Sequence, residues 1–99
     1  MDTLRFEFPA TTPVSSSAHV GVVGSGDLEI LLQPTDQPRT SIQVRTSING
    51  FNETWENVLE RFLSYHDICA DVIINDFGAT PGVVSMRLAQ LMEVSRQYA

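Results

Sequence analysis

Residues 4–8 alternate apolar Leu4, Phe6 and Phe8 with charged Arg5 and Glu7, the period-two pattern of a strand with one face turned inward. Pro9 ends it, and ATTPVSSS at 10–17 is a small, polar loop. Two more β-like stretches, HVGVVG at 19–24 and DLEILLQ at 27–33, flank Ser25-Gly26 and predict a hairpin. PTDQP at 34–38 is a second turn, because its two prolines cannot sit inside a ladder. TSIQVRTSI at 40–48 sets Ile42, Val44, Thr46 and Ile48 on one face and Gln43, Arg45 and Ser47 on the other. Asn49-Gly50 stops that strand.

The period then changes. Trp55, Val58, Leu59, Phe62, Leu63 and His66 recur at helical spacing and form one apolar stripe. Asn52 is the expected N-cap, with Glu53 and Glu56 suited to the positive end of the helix dipole. ADVIIND at 70–76 is a short β-branched run, expected to be a buried strand. Thr80-Pro81 reads as a cap followed by proline at the first helical position, and Val84, Leu88, Leu91 and Ser95 form a second stripe. The predicted order is β-β-β-β-α-β-α. Strand, helix and strand across 40–76 suggest a parallel crossover, right-handed by the usual chirality. The expected fold class is α+β: a single two-layer domain spanning 1–99, with its helices packed mainly on one face of a mixed sheet.

Composition narrows the function. Ninety-nine residues, 42% hydrophobic and 18% charged, make a globular chain able to bury its own core. Twelve acids stand against six bases, a formal charge of −6, with no basic cluster. Nucleic acid and anionic membrane are therefore poor partners, and an electropositive protein surface is a better one. Cys69 is alone, so no intrachain disulfide forms and a reducing cytoplasm is expected. The start lacks the charged-then-apolar pattern of a signal peptide, and no apolar run reaches the roughly 18–20 residues of a membrane span. Asn52-Glu53-Thr54 matches a glycosylation sequon, which is taken as coincidence without an export signal.

Several motifs fail on inspection. Gly24-Ser25-Gly26 begins like a dinucleotide fingerprint, but Glu29 and Ile30 stand where the third glycine and its helix should be. A nucleophile elbow needs glycines where Val23 and Asp27 stand. Asp76-Phe77-Gly78 matches a kinase triplet in a chain too short for a kinase. His19, His66 and Cys69 make a poor zinc set, since His66-x-x-Cys69 straddles a helix end and no second pair follows. His66 is expected to close the apolar stripe, and Cys69 to be a small buried hydrophobe. Ser25 has no visible base, so catalysis is unsupported. Two readings stay open from the residues alone: a plain turn residue, or a modification site whose flanking glycines leave room for an incoming enzyme.

GSGDLEILL at 24–32, IQVRTSING at 42–50, WENVLERFL at 55–63 and INDFGATPGVVSMRLAQ at 74–90 together resemble the acyl carrier (delta) subunits of bacterial malonate decarboxylases. More distantly the chain is similar to citrate lyase acyl carrier subunits. The resemblance implies that a serine carries 2'-(5''-phosphoribosyl)-3'-dephospho-CoA, covalently attached through a phosphodiester, and the matching residue is Ser25. It further implies a non-catalytic subunit bearing acetyl and malonyl thioesters. The implied partners are an α-type acyl-transferase, a decarboxylase subunit, a prosthetic-group transferase and a malonyl-loading enzyme. A citrate-lyase-type carrier and a non-catalytic adaptor domain are the alternatives. An ordinary fatty-acid carrier is disfavoured, because its serine opens a helix in a helical bundle whereas Ser25 lies within a β pattern.

Overall fold

The structure is a computed structural model that describes residues 2–97. Its seven elements follow the order the periodicity predicts: β1 Asp2–Pro9, β2 Ala18–Gly21, β3 Leu28–Pro34, β4 Arg39–Thr46, α1 Asn52–Tyr65, β5 Ala70–Asp76 and α2 Pro81–Gln97. The strands form one sheet in the order β1-β4-β5-β3-β2. β4 and β5 pair in parallel, joined by α1, and the other three pairings are antiparallel.

Register explains why one face of this sheet is dry. Leu4, Val44, Ile74, Ile30 and Val20 stand in one row across all five strands, and Phe6, Ile42, Val72, Leu32 and Ala18 in the next. Trp55 and Leu59 of α1 and Val84, Leu88 and Leu91 of α2 pack with these rows in a single apolar cluster, so both helices cover the same face. Burying each large aliphatic side chain contributes roughly 1.5–3 kcal/mol, so these rows dominate the stability. The intervening rows form the other face. Along one of them Arg5 and His19 are exposed, while Gln43, Ile73 and Leu31 are half-buried.

Several details depart from the sequence reading. The expected turn at 34–38 starts one residue late, because Pro34 is the last residue of β3 and pairs with Ala70 at the ladder's end. β2 ends at Gly21, not at residue 24, because Gly21 takes a φ of +86° and turns the chain out of the ladder. β4 likewise ends at Thr46, leaving Ile48 exposed. Asn52 is not the cap of α1: Phe51 holds that position with no side-chain cap, and its carbonyl accepts the Trp55 N–H at 2.9 Å. Of the two acids named for that terminus, only Glu53 lies in the first turn. At α2 the expected cap forms. The Val83 N–H donates to Thr80 Oγ1 at 3.3 Å, and Pro81 is the first helical residue. The predicted stripe of Val84, Leu88, Leu91 and Ser95 is buried along its length.

Candidate functional site

The segment carrying Ser25 is a six-residue connection from β2 to β3. It begins at Gly21, where a Cβ would lie 2.0 Å from the Leu28 carbonyl oxygen, so a side chain is sterically excluded. The Val22 N–H donates to that same carbonyl at 3.1 Å, the last rung of the hairpin. Beyond it a tight turn closes, with the Asp27 N–H donating to the Gly24 carbonyl at 3.1 Å. Ser25 and Gly26 are its central residues. Gly26 has a φ of +76°, the positive value a type II turn demands at that position. Ser25 is exposed at the tip, and no hydrogen bond from the described residues engages its hydroxyl.

This turn is held from two sides. The Gly26 N–H donates to the Phe77 carbonyl at 2.8 Å, and the Phe77 N–H donates to the Asp27 carbonyl at 2.9 Å. These bonds continue the β3–β5 ladder past its last register pair, Leu28 with Asp76. Gly78, with a φ of +97°, lies against Gly26: a Cβ there would come 3.9 Å from the Gly26 nitrogen. The second support comes from α2. Arg87 grips the Asp27 carboxylate in a fork, Nε to Oδ1 at 3.1 Å and an NH2 to Oδ2 at 2.6 Å. The Leu28 N–H adds a third bond to Oδ1 at 2.7 Å. The Arg87 guanidinium, chiefly through its hydrogen bonds, holds the Asp27 carboxyl below the usual carboxylate range, and Asp27 in turn raises Arg87.

Behind the turn, Asp76 is buried and fully satisfied. Its Oδ1 accepts the Ala79 N–H at 2.9 Å and its Oδ2 accepts the Thr46 hydroxyl at 2.8 Å. The triplet Asp76-Phe77-Gly78, a coincidence as a kinase motif, thus serves as the platform on which the Ser25 turn rests.

The other residues singled out from the sequence are dispersed. His19 lies on edge strand β2 and meets Glu29 Oε2 at 3.0 Å. His66 stacks on Phe62 with ring centroids 4.7 Å apart, closing the helical stripe as expected. Cys69 is buried beside β5, and its N–H donates to the Thr12 carbonyl at 2.8 Å. Among the described residues no three His, Cys, Asp or Glu side chains converge on a metal-sized site. No helix among them is long and apolar enough to cross a membrane. Among the described residues no base is hydrogen-bonded to the Ser25 hydroxyl. What the turn offers is presentation: an exposed nucleophile on a braced backbone.

The bracing roles of Arg87 and Phe77 left almost no trace in the sequence. Phe77 acts through backbone atoms, which leave no residue-type signature. Arg87 left one faint signal, as the lone base between Arg61 and Arg96 and the next residue but two after Val84 on a helix otherwise short of charge.

Comparison with known proteins follows the same segments. The family model described as malonate decarboxylase delta subunit (MdcD) matches residues 15–95. The malonate decarboxylase acyl carrier protein of Azotobacter vinelandii is 53% identical over 94 residues, covering 94% of this chain and 95% of the relative. That of Stutzerimonas stutzeri is 50% identical over the same shares. A chain in the crystal structure of a Pseudomonas malonate decarboxylase hetero-tetramer in complex with malonate superposes with a TM-score of 0.91 at 49% identity. The match covers 96% of this chain and 99% of that one.

Proposed function

This chain belongs to the malonate decarboxylase delta-subunit family, and on that premise we propose that it works as the acyl carrier subunit of a multi-subunit malonate decarboxylase, with 2'-(5''-phosphoribosyl)-3'-dephospho-CoA joined to Ser25 through a phosphodiester. One observation carries the assignment of the site: Ser25 is exposed at the tip of a turn whose backbone is pinned on both sides while its hydroxyl is left unengaged. Ser25 sits between Gly24 and Gly26, so no neighbouring side chain obstructs a bulky phosphodiester.

The residues present suit such a group. Asp27, two positions away, has its charge matched by Arg87, so a phosphodiester on Ser25 does not face a bare carboxylate. Phe77 supports the turn through its backbone N–H and carbonyl, and Gly78, which lies against Gly26, brings no side chain of its own. When bound, the group supplies a thiol that holds acetyl and malonyl units as thioesters. The chain itself supplies position. A fixed attachment point on a flexible arm makes each visit to a partner's active site intramolecular, which raises effective concentration without new contacts. The partners on this reading are an acyl-transferase, a decarboxylase, a malonyl-loading enzyme and the transferase that installs the group, all in the cytoplasm.

Intact-mass measurement on protein from the native host tests the assignment. We expect a species heavier than the bare chain by the group's mass, with the adduct mapping to the peptide containing Ser25. Ser25→Ala protein that still carries the adduct would refute the site.

A further inference from the structure

A cavity of about 200 Å³ opens at the end of the parallel strands β4 and β5. Ile48, Phe51, Trp55 and Val84 give it apolar walls, and Thr46 and Asp76 form its polar side. It shares structure with the turn. Asp76 and Ala79, both on its wall, bracket the Phe77-Gly78 pair that hydrogen-bonds and abuts Gly26. At its edge Ile48 and Phe51 are 43% and 50% exposed, two large apolar side chains turned partly to water. Neither residue belongs to the core cluster.

We propose that this cavity binds a short, uncharged acyl group at the end of a pantetheine thioester, and that it takes acetyl in preference to malonyl. The proposal rests on Ser25 being the attachment site. Size comes first: 200 Å³ is below the roughly 300–1,000 Å³ of pockets for drug-sized ligands, so only a small terminal group fits. Charge decides which. No Lys, Arg or His lines the cavity, and its one ionisable wall residue is Asp76, whose two oxygens are already satisfied by Thr46 and Ala79. A malonyl carboxylate entering there would lose its hydration, find no cation and face an acidic side chain. The uncapped amides at the start of α1 offer no remedy. They belong to Asn52, Glu53 and Thr54, which are exposed and lie outside the lining. An acetyl group brings no charge to desolvate, and its methyl can rest against Ile48, Phe51, Trp55 and Val84.

The consequence is a carrier that shelters its resting acyl group from water and releases the malonyl form to its partners. Affinity need not be high. A tether presenting its end at millimolar effective concentration populates a site whose Kd for the free ligand is itself millimolar.

Trp55 is the sole tryptophan of the chain and lines the cavity, which supplies a direct readout on the unmodified full-length protein. S-acetyl-pantetheine, S-malonyl-pantetheine and unacylated pantetheine would be titrated while Trp55 emission and backbone amide resonances are followed. The acetyl thioester should shift Trp55 emission saturably, together with the amides of Ile48 and Ala79. The malonyl thioester should bind at least ten-fold more weakly. Ala79→Leu, which adds bulk at a half-buried wall position, should weaken the acetyl response at least ten-fold. Asp76→Asn should narrow the acetyl–malonyl gap, and Trp55 emission without ligand reports whether that variant is folded. Equal responses to the two thioesters, an acetyl response unchanged by Ala79→Leu, or shifts confined to the neighbouring groove around Arg61 and His66 would each overturn the proposal. Failure of the carrier assignment is visible separately: native protein with no adduct on Ser25 refutes that assignment, whereas native protein with the adduct but no Trp55 response to acetyl-pantetheine refutes only the cavity.

Discussion

Two loops flank β2, and they differ in how they use hydroxyls. The 10–17 loop before it carries Thr11, Thr12, Ser15, Ser16 and Ser17; the 22–27 loop after it carries only Ser25. Each is anchored by an aspartate. Asp67 accepts the Thr11 N–H at 2.8 Å, the Thr11 hydroxyl and the Thr12 hydroxyl at 2.8 Å. Asp27 accepts Arg87 and its neighbouring backbone instead. Thr11 and Thr12 therefore use their hydroxyls to hold the first loop down, and Ser16 too has a partner. The second is held by backbone bonds to Phe77 and by an ion pair to α2, which leaves its single hydroxyl out of the fold. A hydroxyl that supports structure and a hydroxyl left out of it look alike in composition. They differ in what anchors the backbone around them.

The largest effect expected from this contrast is on function. Ser25→Ala should abolish both the adduct and malonate-dependent turnover of the reassembled complex. Its stability should stay within about 0.5 kcal/mol, as for an exposed turn residue. Combined Ser15→Ala and Ser17→Ala should leave both intact. Turnover surviving in Ser25→Ala, or lost in the double variant with its fold preserved, would exchange the roles of the two loops.

Next in size is a stability effect at the point where the second loop leaves the sheet. Gly21→Ala must accommodate a φ of +86° and a Cβ pressed onto the Leu28 carbonyl. We expect a loss of about 3 kcal/mol or more in urea unfolding, combining left-handed strain of roughly 1–2 kcal/mol with displaced backbone. Gly26→Ala shares the positive φ, but its Cβ would meet nothing within 4 Å. It should lose only the strain component, about 1–2 kcal/mol. Equal losses at the two positions would mean that the steric contact at Gly21 relaxes freely.

Smaller again is the response to acid and salt. Hydrogen bonds from Arg87 at Asp27, and from the Thr11 and Thr12 groups at Asp67, hold both carboxyls below their ordinary value of 3.8. A depressed folded-state pKa contributes stability that is present above the unfolded value and is lost as pH falls through the folded one. Both anchors should therefore loosen below about pH 4, seen as faster amide exchange at Gly26 and Asp27 in one loop and at Thr11 in the other. Salt should separate them. Raising ionic strength from 0.1 to 1 M shortens the Debye length from about 10 Å to about 3 Å, which weakens the Asp27–Arg87 pair and spares the neutral donors on Asp67. Matching salt sensitivity in the two loops would argue that Arg87 contributes little to bracing the turn.

Much of this fold was legible because it is written in local periodicity. The alternation of Ile42, Val44 and Thr46, the stripe from Trp55 to His66 and the Thr80-Pro81 start each depend on residues a few positions apart. The strand order was not legible. β5 slots between β4 and β3 by pairing Ile74 with both Val44 and Ile30, about 30 and 44 positions away, and no local pattern encodes that choice. The misplaced cap at Asn52 has a local cause: a good capping residue lay one position too late, and Phe51 took the site where it borders the cavity. At the site itself, Ser25 and its glycines were conspicuous, whereas the brace was not. Asp27 and Arg87 are 60 residues apart and meet only because α2 crosses beside the start of β3.

The smallest effect sought is at Gly24, and it isolates access from architecture. Unlike Gly21 and Gly26, Gly24 has no positive φ, and a Cβ there would touch only Val22 Cγ2 at 3.8 Å, an ordinary contact. The folded chain gives this position no reason to be glycine. Gly24→Ala should be neutral or stabilise by about 0.4–1 kcal/mol, since alanine narrows the unfolded ensemble at a compatible site. If Gly24 exists so that the transferase can close over Ser25, the same methyl should slow attachment of the prosthetic group, and Gly24→Leu should slow it further with the fold unchanged. Attachment rates on purified apo protein, followed by intact mass, measure this directly. Rates unaffected even by leucine would show that the glycine before Ser25 does not serve access. The open approach to the hydroxyl would then rest on the bare Gly26 side and on the exposure of Ser25 at the tip of the turn.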